Sequence, residues 1–166
     1  SIGPAGMSGR VTSIDAVNTN PDIIYLGTAS GGVWKTENAG ANWTPIFDEQ
    51  PILNIGSVAI TQSNPNIVWV GTGEGNPRNS VNIGEGIYKS MDGGKTWKCM
   101  GLQKTRNIHR IIIDPTNPDI IYLGTGEANI FRASLPGMGG RYNGPSPVMN
   151  SDITEALSRL NSMLGR

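Results

Sequence analysis

Two glutamates stand at matched positions and could act on one ligand. Glu74 follows Gly71-Thr72-Gly73, and Glu127 follows Gly124-Thr125-Gly126. Ser30 holds the corresponding place after Gly27-Thr28-Ala29. Arg78 and Asn79 lie in an insertion that follows Glu74. If the segments carrying these residues repeat as structural units, Ser30, Glu74, Arg78, Asn79 and Glu127 gather at one end of the molecule. There they would form a ligand-binding ring, with glycan as the class to test. The alternatives at the same positions are polar turn residues or an acidic rim that tolerates calcium.

Other chemistries are poorly supplied. Gly71-x-Gly73-x-Gly75 has the look of a phosphate loop, but the segment runs from a strand into the insertion. The helix that dinucleotide and P-loop sites require does not follow. Lys104, Arg106, His109 and Arg110 make a small basic cluster before a strand, read as a solvated loop between units. With 13 basic and 13 acidic residues the formal charge is zero, so no surplus exists to displace counterions from nucleic acid. One cysteine (Cys99) and one histidine (His109) exclude an internal disulfide and a Cys-based zinc site, and no cofactor is expected. No apolar run approaches the roughly 18 residues of a membrane span.

The elements that must position these residues are visible as a repeat. Asn20 to Thr28 reads NPDIIYLGT, Asn64 to Thr72 reads NPNIVWVGT and Asn117 to Thr125 reads NPDIIYLGT. Asn-Pro followed by Asp or Asn is a turn signal: proline fixes φ and the amide or carboxylate bonds nearby backbone. The β-branched and aromatic run that follows predicts a strand buried on both faces, with Ile24, Val68 and Ile121 equivalent. A strand precedes each turn (RVTSIDAV, GSVAI, HRIIID). Another follows the Gly-Thr end (GVWKT, GIYKS and, more weakly, NIFRA), and a fourth begins at Trp43 or Trp97. The prolines of these three turns lie 44 and 53 residues apart, and the difference falls in the insertion after Thr72. Units of four short strands at this spacing predict an all-β fold of antiparallel propeller blades, about two and a half of them here. The 23 glycines and 11 prolines punctuate those blades.

The hairpin between third and fourth strands carries the sharpest motif. Ser90, Asp92, Gly94 and Trp97 form one copy, and Thr36, Asn38, Gly40 and Trp43 form a milder one. Asp92 or Asn38 can accept backbone N–H bonds within the turn, the glycine supplies a backbone angle closed to other residues, and the tryptophan packs on the blade. The pattern resembles the Asp-box repeat of sialidase-like, sortilin-like and xyloglucanase-like propellers, where it is structural and lies away from the ligand face. GPAGMSGRVTSIDAV, GTASGGVWKTENAGANW and GTGEGNPRN resemble large secreted bacterial sortilin-like proteins, across about four-fifths of the chain. That resemblance implies a secreted, surface-attached or periplasmic protein. The xyloglucanase likeness implies a catalytic Asp in a Thr-Asp-x-Gly-Gly loop. Here the loop reads Thr28-Ala29-Ser30-Gly31-Gly32, with Ala29 at the Asp position. A common glycosidase needs two carboxyl groups flanking the bond, so no catalytic residue is assigned.

After Arg132 the pattern lapses. The chain divides into a partial propeller over 1–132, a Gly/Pro-rich linker over 133–150 and an amphipathic helix over 151–166. Ile153, Ala156, Leu157, Leu160, Met163 and Leu164 make the helix's one apolar face. Two and a half blades are fewer than the four to eight of a closed propeller. The expectation is a piece completed by missing blades of the same protein or by a protein partner. The preferred reading is a non-catalytic binding or assembly module. The alternatives are a glycoside hydrolase-like enzyme with catalytic residues outside this chain, and a scaffold subunit of a larger complex.

Overall fold

A computed structural model describes residues 10–75 and 82–126. Ten strands run in chain order: β1 Val11–Val17, β2 Asn20–Thr28, β3 Val33–Thr36, β4 Thr44–Pro45, β5 Ile55–Ile60, β6 Val68–Thr72, β7 Ile87–Ser90, β8 Lys98–Gly101, β9 Ile108–Ile113 and β10 Ile121–Thr125. They form two four-stranded antiparallel sheets, β1-β2-β3-β4 and β5-β6-β7-β8, and an antiparallel pair β9-β10. Sequence neighbours pair throughout, as expected of blades. We call the sheets blade 1 and blade 2 and the pair the third unit. The segment beginning at Trp43 is strand only at Thr44–Pro45. The NIFRA segment, the linker and the tail helix lie outside the described residues. Among the described residues no helix is long and apolar enough to cross a membrane.

The three units share one register. Val11, Ile55 and Ile108 pair with Thr28, Thr72 and Thr125. Ser13, Ser57 and Arg110 pair with Gly27, Gly71 and Gly124. A register irregularity falls between these two pairs in every unit, which bends the strand at its Gly-Thr end. The first strands then stack side by side: β5 packs on β1 and β2, and β9 on β5 and β6.

Interblade packing explains the glycines and some serines. A methyl group on Gly27 would stand 2.7 Å from Ile55 Cγ2, and one on Gly71 would stand 2.5 Å from Ile108 Cγ2. The Gly-Thr strand ends of blades 1 and 2 are thus the seats for the first isoleucine of the next unit. Beside it Ser13 Oγ accepts from the Val58 N–H at 2.9 Å, and Ser57 Oγ accepts from the Ile111 N–H at 3.1 Å. Asp15 accepts from the Ile60 N–H at 2.7 Å, and Thr12 donates to the Ile55 carbonyl at 2.7 Å. Burial of the second strands follows from this stacking. All five residues of β6 are buried, because blade 2 lies between two neighbours. Its counterparts β2 and β10 are only partly buried, so burial on both faces holds at Val68 and not at Ile24 or Ile121.

The two Asp-box hairpins have one geometry. In the first, Thr36 Oγ1 donates to Asn38 Oδ1 and accepts from the Gly40 N–H, while Asn38 Oδ1 accepts from the Asn42 N–H. In the second, Ser90 Oγ donates to Asp92 and accepts from the Gly94 N–H, and Asp92 accepts from the N–H groups of Lys95 and Thr96. Gly40 and Gly94 have φ of 89° and 92°, the left-handed angle the motif requires. The second hairpin also joins the blades. Trp97 Nε1 donates to the Ile46 carbonyl at 2.6 Å, and Tyr25 donates to the Gly93 carbonyl at 3.1 Å. Phe47 packs edge-on against Tyr88 and Trp97, with centroids 5.3 and 5.0 Å away.

Candidate functional site

Strand direction separates the molecule into two ends. The Asp-box hairpins lie where β3 and β7 finish, near Ile24 and Val68; the Gly-Thr loops lie where β2 and β6 finish. At the Gly-Thr end one backbone bond recurs. Ala29 N–H donates to the Arg10 carbonyl (2.9 Å), Gly73 to Asn54 (2.7 Å) and Gly126 to Asn107 (3.1 Å). This bond puts positions 30 and 74 at the same end of their units. The threonine before it closes the loop: Thr28 Oγ1 donates to the Gly32 carbonyl, and Thr72 Oγ1 donates to the Gly86 carbonyl. In blade 2 this closure spans the insertion, whose ends meet where Glu74 N–H donates to the Asn82 carbonyl at 3.1 Å.

The site residues named from sequence differ in exposure. Ser30 is exposed, whereas Glu74 is 1% exposed. The Glu74 carboxylate forms an ion pair with Arg10, whose side chain is 44% exposed. That pair crosses from the loop after the second strand of blade 2 to the start of blade 1. Arg78, Asn79 and Glu127 lie outside the described residues. Of the motif residues, Thr36, Asn38, Gly40 and Trp43, with Ser90, Asp92, Gly94 and Trp97, all sit in the hairpins at the opposite end.

The importance of Arg10 was not legible from sequence, although a signal existed. Arg10, Asn54 and Asn107 occupy one repeat position, and only the first is charged; Ser30, Glu74 and Glu127 occupy another, and the last two are charged. A single arginine among asparagines, at the end of the units where Glu74 lies, marks the cross-blade pair. His109 also belongs to this end of the molecule. Its ring covers Gly75 and Gly126, leaving no room for a methyl group on Gly75. Desolvation lowers its pKa and favours the neutral imidazole. His109 and Arg110 line a groove of about 520 Å³ along the first strands, with Thr12, Asp15 and Ser57 among its other polar groups. Burial raises the Asp15 carboxyl's pKa, opposed by bonds from the Ile60 and Ala16 N–H groups.

No family model and no curated protein matches this chain. Solved structures do. A GH74 enzyme from Niastella koreensis is 22% identical with a TM-score of 0.55, over 69% of this chain and 17% of that one. An ancestral GH74 enzyme is 21% identical with a TM-score of 0.55, over 69% and 16%. The GH74 xyloglucanase from Xanthomonas campestris is 17% identical with a TM-score of 0.51, over 68% and 18%. The chain shares its fold with part of these propellers. At such identities the likeness is one of fold alone, and the chain spans about a sixth of the enzymes it matches.

Proposed function

We propose that the chain is a non-catalytic binding and assembly segment of a β-propeller, completed by further blades and carried by a secreted or surface-attached bacterial protein. One observation carries this reading: the Glu74 carboxylate is buried against Arg10. A retaining or inverting glycosidase of the common kind needs two carboxyl groups open to the scissile bond. At this end Glu74 is committed to a cross-blade ion pair. Ala29, where the xyloglucanase resemblance asks for a carboxylate, is buried and its N–H is bound to Arg10. Ser30 is exposed at this end, and Arg78, Asn79 and Glu127, which lie outside the described residues, are the further candidates by sequence for a ligand of the glycan class.

A second reading is favoured by the likeness to GH74 propellers. In it the chain is part of a glycoside hydrolase whose catalytic carboxylates lie on other blades. A glycan array and a reducing-sugar release assay separate the two. Binding without release is the expected result. Release of reducing sugar by the 166-residue chain itself would overturn the non-catalytic reading, and a blank array would remove the glycan class.

A further inference from the structure

The outward face of blade 1, turned away from blade 2, repeats an interface that the molecule already makes twice. Val11 is 51% exposed and Ile14 is 65% exposed, but their register equivalents are buried: Ile55 and Ile108 at 0%, Val58 at 5% and Ile111 at 6%. Those four are covered by the unit that precedes them.

Resting on the assembly reading above, we infer that this face docks one further blade of the same repeat type. The existing interfaces specify its chemistry. It presents a Gly-Thr strand end whose glycine seats Val11, as Gly27 seats Ile55 and Gly71 seats Ile108. On its first strand, paired with that glycine, it carries a serine. That hydroxyl accepts from the Ile14 N–H, as Ser13 and Ser57 accept from Val58 and Ile111.

A second copy of this chain does not meet that specification. Its third unit has the glycine, Gly124, but pairs it with Arg110. A guanidinium has five donors and no acceptor, so it cannot receive the Ile14 N–H and would carry its charge into an apolar contact. The occupant is therefore a blade other than the chain's own third unit.

Sedimentation velocity on the full chain tests this directly, by giving the third unit the missing group. The wild-type chain is expected to show no association that depends on Ile14. Arg110→Ser should associate head to tail, with the half-association concentration lowered about tenfold or more. Arg110→Thr, which supplies the same acceptor, should do likewise, and adding Ile14→Asp to either should restore wild-type behaviour. Circular dichroism confirms that each variant is folded. The inference is overturned if both Arg110 variants sediment as the wild type does, if their association survives Ile14→Asp, or if the wild-type chain already associates in an Ile14-dependent way. A blank glycan array alongside Ile14-dependent association would remove the glycan reading and leave the docking surface intact.

Discussion

Blade 1 and blade 2 have the same strand order, the same register and the same hairpin, yet equivalent residues meet different surroundings. Ile55 is sealed against Gly27 while Val11 faces outward. Glu74 is buried in a cross-blade ion pair while Ser30 is exposed. Two kinds of difference are mixed here. Burial of the first strand depends on whether a neighbour stands on that side. The hairpins differ through their own residues: a neutral Asn38 against a charged Asp92, and Ala39 against Gly93. The first kind is set by position in the stack, the second by local sequence, and substitutions separate them.

The largest contrast is in the first strands. Ile55→Ala removes a fully buried side chain from a glycine-lined seat and is expected to cost about 2–5 kcal/mol. Val11→Ala, at the equivalent position, should change stability by no more than about 0.5 kcal/mol. Urea unfolding of both variants measures the gap, and equal costs would show that the outward face of blade 1 is packed after all. Next comes the ion pair. Arg10→Ala leaves the Glu74 carboxylate buried without its arginine, a loss that reaches about 3–5 kcal/mol for fully enclosed pairs. Arg10 is nearly half exposed, so solvent screening reduces the expectation to about 1–3 kcal/mol. Ser30→Ala, at the blade 1 counterpart of Glu74, should stay within about 0.5 kcal/mol. A cost for Arg10→Ala as small as that for Ser30→Ala would dissolve the distinction between the two loops.

The hairpins should separate by pH. Hydrogen bonds from the Thr96 hydroxyl and N–H, then from Ser90, lower the Asp92 pKa from 3.8 to about 2. A folded-state pKa below the ordinary value gives stabilisation that is fully present above about pH 4 and is lost as pH falls through about 2. Asn38 accepts the corresponding N–H bond with no ionisable group. Thermal melts of wild type and Asp92→Asn, which gives the second hairpin the first one's amide, should therefore converge as the pH falls from 4 to 2. A constant separation across that range would mean that the charge on Asp92 adds nothing to what Asn38 provides.

Much of the fold was legible because its signals are local. Asn-Pro turns, β-branched runs ending in Gly-Thr and the Asp-box spacing each act within a few residues, so strand order and hairpin geometry followed from short windows of sequence. What escaped was the cross-blade chemistry. Ser13 and Ser57 look like ordinary polar residues on half-buried strands. Their role appears only when Val58 and Ile111 arrive from the next unit. The fourth strand was overextended at Trp43, because Trp43 and Phe47 resemble strand residues while packing from outside the two-residue ladder. At the candidate site, equivalence placed Ser30 and Glu74 at one end but could not tell an exposed loop residue from a buried ion pair. That depends on Arg10, a residue of the neighbouring blade.

The smallest effect isolates local encoding most cleanly. Ala39 occupies φ 54°, a left-handed angle costly to any side chain, where the second hairpin has Gly93 at φ 71°. Ala39→Gly should relieve that strain and stabilise by about 0.5–1 kcal/mol, less what glycine's freedom costs in the unfolded chain. Gly93→Ala should lose about 1 kcal/mol. The reverse substitution is a fair backbone test, because a methyl there would find only ordinary contacts. Asn66 Oδ1, Lys35 Nζ and Tyr25 Oη would each lie 3.6 Å away. Gly94 would not serve, since its methyl would stand 2.5 Å from Ile46 Cδ1 and mix sterics with strain. Opposite signs at 39 and 93 would assign the hairpin difference to local backbone angle. If both substitutions destabilise, the Ala39 side chain contributes packing that the two hairpins do not share, and the first hairpin is tuned by its surroundings as its first strand is.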